Sequence, residues 1–399
     1  MFTPTLQRRE IAILVGGAFI SALSWLAMQP WNIHGWMIGA PLGRDFVNFW
    51  MGPRLVLAGQ EAMLGDLPAY GAAIKSIFGL TRDPGLLFVY PPHAMLVFAP
   101  FALMPFAPGV FLWTALNLAA LALTTRMLLR GAPLLGPALA VCLSPPAVAM
   151  VMYGHFDGFL ALAATVALTQ AGPRPVLSGL CLAFLSIKPQ FAAAIGLMLL
   201  LNGYWRCLVA GAIATLALVG LSVAVFGIDV WRIFLTVLMP VHSAFITEFN
   251  AKMIETSVSA YFAARFSGVP GNVAWAIQGV VSAAALAFGA KALRRGAGEP
   301  GTLAVILIAA LAMQPYVSHY DLAIAAPAVT LLVLGRAPGA APFTVAAWVL
   351  MPLARILIVF DLPILGILVT GSLFAQAKRL FRQEDAPIID VGGLAAAKS

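Results

Sequence analysis

Apolar residues run along this chain in long blocks separated by short polar clusters, and twelve of the blocks can be read as membrane crossings. They lie at about 11–28, 109–130, 134–152, 156–171, 175–187, 190–203, 206–227, 272–293, 302–315, 320–335, 341–360 and 361–380. Several are too short for a straight crossing, which predicts half-helices or tilted pieces packed around a cavity. A further run, 92–107, is bracketed by Pro91-Pro92, Pro100, Pro105 and Pro108 and reads as a re-entrant or interfacial piece that does not cross. The expected fold is therefore all-α: a polytopic membrane protein of about 12 transmembrane helices plus re-entrant and interfacial helices.

Basic residues orient the pattern. With Arg8 and Arg9 inside, the inner span ends carry Arg126, Arg130, Arg174, Arg206, Lys291, Arg294, Arg295, Arg336, Lys378, Arg379 and Arg382. Counting Lys398, fourteen of the 23 basic residues fall inside, while all five histidines fall outside. Letting 92–107 cross would break this positive-inside rule at nearly every later turn. Residues 1–382 form one integral-membrane unit on this reading, with both termini cytoplasmic and 383–399 a disordered tail. Two long segments face outward, 29–91 and about 228–271. The first holds an expected interfacial helix at about 46–60, with Phe46, Phe49, Trp50, Leu55 and Leu57.

Composition agrees: 62% of the chain is hydrophobic, 10% is charged, and mean hydropathy is +0.96. The net charge of +8 reflects orientation signals, not affinity for nucleic acid. Cys142, Cys181 and Cys207 lie in or beside apolar runs without metal-ligand spacing. The run after Arg8-Arg9 has no small-x-small site before Gln29-Pro30-Trp31, so it reads as a retained span. Walker, Rossmann, zincin and nucleophile-elbow patterns are missing, which argues against nucleotide chemistry.

The polar residues that could carry chemistry gather on the outer face, where a charge beside the membrane is costly to keep. Asp45 can cap the helix that it opens, pair with Arg44, or serve as a base. Tyr90-Pro91-Pro92 stiffens the chain where it re-enters the membrane, and Tyr90 can face a ligand. His155 and Asp157 lie in the Gly154-His155-Phe156-Asp157-Gly158 turn, as turn-stabilising groups or substrate contacts. That segment alone supplies too few ligands for a metal. Lys188-Pro189-Gln190 breaks a helix beside an ammonium, a place for an anion or for a lysine that snorkels. His319, Tyr320 and Asp321 open the tenth span, where His319 can donate to a leaving oxygen with Asp321 to orient it. Arg355 needs a partner, either Asp361 or a phosphate.

Taken in order, these segments resemble the GT-C integral-membrane glycosyltransferases, and among them glycosyltransferase family 87. The features that carry this are Asp45-Phe46, Phe49-Trp50, Leu57-Ala58-Gly59, Pro68-Ala69-Tyr70, Tyr90-Pro91-Pro92, the Gly-His-x-Asp turn, Lys188-Pro189-Gln190, and Pro315 with His319-Tyr320. The likeness spans about residues 1–335. It departs where that family often has tyrosine in place of Phe49 or Trp50, at Pro53, and in the 228–271 segment. The resemblance implies a polyprenyl-phosphate-linked hexose donor, with mannose favoured, and a lipid or glycan acceptor. Transfer would be inverting, at the periplasmic face of a bacterial inner membrane, with no cofactor and no metal. Asp45 would be the base, and His319 would assist as the second catalytic group. Lys188, Gln190 and Arg355 would hold the donor phosphate, while Tyr90, His155, Asp157, Tyr320 and Asp321 would contact substrate. The rival reading is a lipid or solute transporter or flippase, which the one-sided polar set and the lack of an inverted repeat oppose.

Overall fold

The computed structural model describes residues 15–20, 22–23, 43–80, 85–248, 257–335, 339–353, 357 and 362–382. Most of the first predicted span, segment 29–42, residues 249–256, Arg355, Asp361 and the 383–399 tail lie outside them. Among the described residues the chain is helical, with no strand. Pro145, Pro175, Pro189, Pro300 and Pro342 each open a helix. At a first position the missing N–H has no intrahelical partner to lose, and φ is already set.

Among the described residues, five helices are long and apolar enough to cross a membrane: Phe106–Leu129, Trp205–Phe226, Ile228–Thr247, Gly271–Leu293 and Ile364–Arg382. Leu135–Cys142 and Pro145–Tyr153 make a sixth if counted as one span bent by 57°. The bend falls at Ser144-Pro145-Pro146, where two successive residues lack an N–H for the ladder. Other predicted spans are apolar helices of 10–17 residues, among them Asp157–Gln170, Pro175–Leu185, Pro189–Leu201 and Pro300–Ala312. Rising about 1.5 Å per residue, these fall short of a hydrocarbon core about 30 Å thick. The outward face is apolar, as a lipid-facing surface must be. Val209, Ile213 and Leu216 stand on one stripe of Trp205–Phe226 with 58%, 64% and 70% of their surface exposed. The molecule is a multi-pass, all-α membrane protein.

Two predicted pieces take shape close to expectation. The helix expected at about 46–60 spans Arg44–Leu57, and the run 92–107 holds the short apolar helical piece Pro92–Ala102, of a length with Pro175–Leu185. Phe49 of the first stacks on Phe98 of the second at 4.4 Å, and Phe46 packs near Trp113 at 5.8 Å, seating both on Phe106–Leu129. The 228–271 segment differs from the expected loop: Ile228–Thr247 is a continuous helix. Its middle, Phe234–Leu238, relaxes to a π-turn. Pro240 accounts for this, because its ring displaces the Thr236 carbonyl from the usual bond. Ile233 and Val237 lie against Gly65, Trp231 stacks on His93 at 6.0 Å, and His242 meets Tyr316 at 5.6 Å.

Helix Asp157–Gln170 is held tightly against Phe106–Leu129 at Gly158. A β-carbon there would stand 2.3 Å from the Asn117 carbonyl oxygen, which is backbone and cannot swing aside. Gly158→Ala is expected to cost about 1–3 kcal/mol through forced separation of the two helices. Thermal unfolding of the detergent-purified protein would read this as a lowered Tm; an unchanged Tm would mean that the helices do not meet this closely.

Candidate active site

Two glycines bring the ends of distant segments together. Gly43 and Gly154 both adopt left-handed backbone, with φ of 77° and 69°. A β-carbon on Gly154 would lie 2.8 Å from the Gly43 α-carbon, so only glycine allows this approach. Gly43 N–H donates to the Met152 carbonyl at 3.1 Å, and the Trp113 indole N–H donates to the Gly154 carbonyl at 3.0 Å. The start of Arg44–Leu57 is thereby pinned beside the turn that carries His155.

Between them lies a cavity of about 320 Å³. Asp45, Tyr90, His155, Lys188, Gln190, Tyr320 and Asp321 all line it, from segments as far apart as residues 45 and 321. Asp157 lies fully buried beneath His155 and does not line it. His319 is buried, with its ring edge-on to Tyr153 at 5.2 Å, and is likewise outside the lining. Arg355 falls outside the described residues. Arg44, Asn48, His242 and Tyr316 also line the cavity. Asn48 could have been singled out as a polar residue one turn beyond Arg44 and Asp45 in a helix whose next four residues are apolar or glycine.

A buried polar chain forms one wall. The Lys188 ammonium donates to Asp321 Oδ1, and the Ser318 N–H donates to Asp321 Oδ2 at 2.8 Å. Asp321 thus caps the turn His319–Ile324 while neutralising Lys188. Lys188 itself stands just before Pro189, at the break between Pro175–Leu185 and Pro189–Leu201 that its sequence predicted. On the other side, His155 Nδ1 lies 2.8 Å from Asp157 Oδ2, and its Nε2 lies 3.2 Å from the Tyr90 hydroxyl. Burial, aided by the Lys188 ammonium, pushes the His155 imidazole down to about 4, so it is neutral near pH 7. Burial also holds the Tyr90 phenol well above its ordinary range. With Asp157 ionised, the N–H at Nδ1 donates to its carboxylate and Nε2 accepts from the Tyr90 hydroxyl. This fixes the ring tautomer and the phenol direction together.

His155, Asp157 and Asp321 bring one possible ligand atom each within 4.8 Å of one another. Asp321 adds what the His155 turn lacks by itself. The set nonetheless fits a divalent ion poorly, because the Lys188 ammonium already rests on Asp321 and would repel a second cation at that carboxylate.

An apolar, many-helix frame around one polar cavity defines a membrane-embedded protein that handles a partly polar substrate. The sequence model of glycosyltransferase family 87 matches residues 88–318, more than half of the chain, and the chain belongs to that family. It is a membrane glycosyltransferase. The matched stretch contains Tyr90, His155, Asp157, Lys188 and Gln190; Asp45 precedes it, and His319 and Asp321 follow it. No curated protein and no solved structure matches the chain.

Proposed function

We propose that this glycosyltransferase moves a hexose, mannose by preference, from a polyprenyl-phosphate-linked donor to a hydroxyl of a lipid or glycan acceptor. The observation that carries the reading is the meeting of Asp45 with the Tyr90, His155 and Lys188 segments around one cavity in an apolar helical frame. Asp45 takes the proton from the acceptor hydroxyl as its oxygen attacks the anomeric carbon. The bond to the lipid phosphate breaks in the same displacement, with inversion, and the phosphate leaves with the electron pair. Cationic and N–H groups around the cavity stabilise that charge. The orientation of the basic residues supports an outward-facing cavity in a bacterial inner membrane, with cytoplasmic termini.

Phosphate is a competent leaving group without a Lewis acid, and the cavity wall carries its own ammonium. Transfer is therefore expected to persist in excess EDTA. The test is purified protein in nanodiscs with radiolabelled polyprenyl-phosphate mannose and extracted membrane lipid. A labelled glycolipid or glycan, formed at an EDTA-independent rate, is the expected product. Absence of transfer from several polyprenyl-phosphate hexoses, with translocation of a fluorescent lipid in vesicles, would replace this reading with the flippase.

A further inference from the structure

Among the described residues two permanent cations line the cavity, and they are not equivalent. The Lys188 ammonium is already bonded to Asp321, a partner with 1% of its side-chain surface exposed. Its charge is spent within the protein. Arg44 is different. Its side chain is 35% exposed, and its nearest terminal nitrogen is 3.7 Å from Asp45 Oδ1, beyond hydrogen-bond reach. Asn48 stands one helical turn beyond Arg44, so the two side chains share a face of Arg44–Leu57. The Asn48 Oδ1 accepts from the buried Tyr70 hydroxyl at 2.9 Å, which leaves the NH2 group as the donor that Asn48 can offer where it lines the cavity.

We infer that Arg44, supported by Asn48, is the group that holds the phosphate of the substrate lipid, and that the phosphate displaces Asp45 from Arg44 when it binds. This rests on the lipid-phosphate donor proposed above and names which residue grips it. The guanidinium fork suits two phosphate oxygens, whereas an ammonium already held by a carboxylate offers little. Arg44 is long and Asp45 short, and they follow one another at the start of one helix. The phosphate is thus gripped beyond the carboxylate, while the carboxylate stays near the attacking hydroxyl. Exchange of partners also couples the steps: Asp45 loses its neighbouring cation only once a donor is seated.

The exchange makes opposite demands on two adjacent residues, and this separates it from a structural role. The probe is tritiated polyprenyl phosphate without a sugar, bound to the full chain in nanodiscs and read by scintillation proximity. Arg44→Gln is expected to raise Kd at least about tenfold, the scale of lost charged hydrogen bonds. Arg44→Lys should recover part of the affinity, because charge is kept and the fork is lost. Asp45→Asn should bind as tightly as wild type or more tightly, since a competitor for Arg44 and a like charge to phosphate is gone. Elution profile and Tm establish that each variant is folded; should Arg44→Gln fail there, Arg44→Lys must still weaken binding.

Wild-type affinity in folded Arg44→Gln or Arg44→Lys would overturn the inference while leaving the donor reading intact. Markedly weaker binding by Asp45→Asn would overturn the partner exchange. Wild-type protein that binds no polyprenyl phosphate would remove the donor reading and the inference together. Inorganic phosphate serves as the second probe and is expected to compete only at far higher concentration. Equal competition would assign Arg44 to a free anion and overturn its assignment to the lipid.

Discussion

Asp45→Asn is expected to lower hexose transfer by about 10²–10⁴-fold, the range that a positioned general base contributes. The substitution is nearly isosteric. Asp45 stands in the first turn, behind the N-cap Gly43, so the substitution costs the helix only its dipole interaction with the carboxylate, about 0.3–1 kcal/mol. Loss of a cap would therefore not explain loss of transfer. The Asp45 side chain is 10% exposed and lines the cavity, where an acceptor hydroxyl can meet it. The informative comparison is kcat against donor KM: a lost base lowers kcat, and lost donor binding raises KM. A folded Asp45→Asn protein with undiminished kcat would remove Asp45 as the base. Attention would then move to Asp321 on the same cavity, because Asp157 is sealed beneath His155.

How much of this site was legible beforehand depends on whether the signal was local. The break at Lys188-Pro189 and the turn at Gly154–Gly158 are written in proline and glycine, whose effects act within a few residues. The helix expected at about 46–60 forms at Arg44–Leu57. Pro53 does not end it, since one lost bond is offset by the aromatic packing of Phe46, Phe49 and Trp50 on their neighbours. Pairings across the chain left no local trace. Lys188 finds Asp321 across 133 residues, and nothing near either predicts the other. The alternation of basic span ends puts 228–271 outside as one long segment, and it gives no sign of the helix Ile228–Thr247 within it. In the fold, Pro240 costs only a π-turn, and His242 faces the cavity. Orientation posed a further problem. His319 and Asp321 sit two residues apart, yet the short turn His319–Ile324 brings Asp321 to the cavity and leaves His319 against Tyr153.

Lys188→Met is expected to destabilise the protein by about 3–5 kcal/mol, because it strands a buried carboxylate without its counter-ion. Lys188 and Asp321 side chains are 9% and 1% exposed, so water cannot take over the ammonium's role. Asp321→Asn is expected to destabilise on the same scale, leaving the ammonium unpaired. Its amide oxygen can still accept from the Ser318 N–H, so the turn His319–Ile324 keeps its cap. The double variant Lys188→Met, Asp321→Asn removes both charges at once and should recover much of the lost stability, since neither desolvated charge remains. Thermal unfolding in detergent, arranged as a double-mutant cycle, gives the coupling directly. Strong coupling in stability, with polyprenyl phosphate binding largely restored in the double variant, would place the pair as a strut that holds the break at Pro189 against the turn at Ser318. Additive losses, or a stable double variant that no longer binds the lipid phosphate, would return Lys188 to the role of phosphate ligand. The same result would shift the grip on the donor away from Arg44, so this cycle and the Arg44 titration must agree for either assignment to stand.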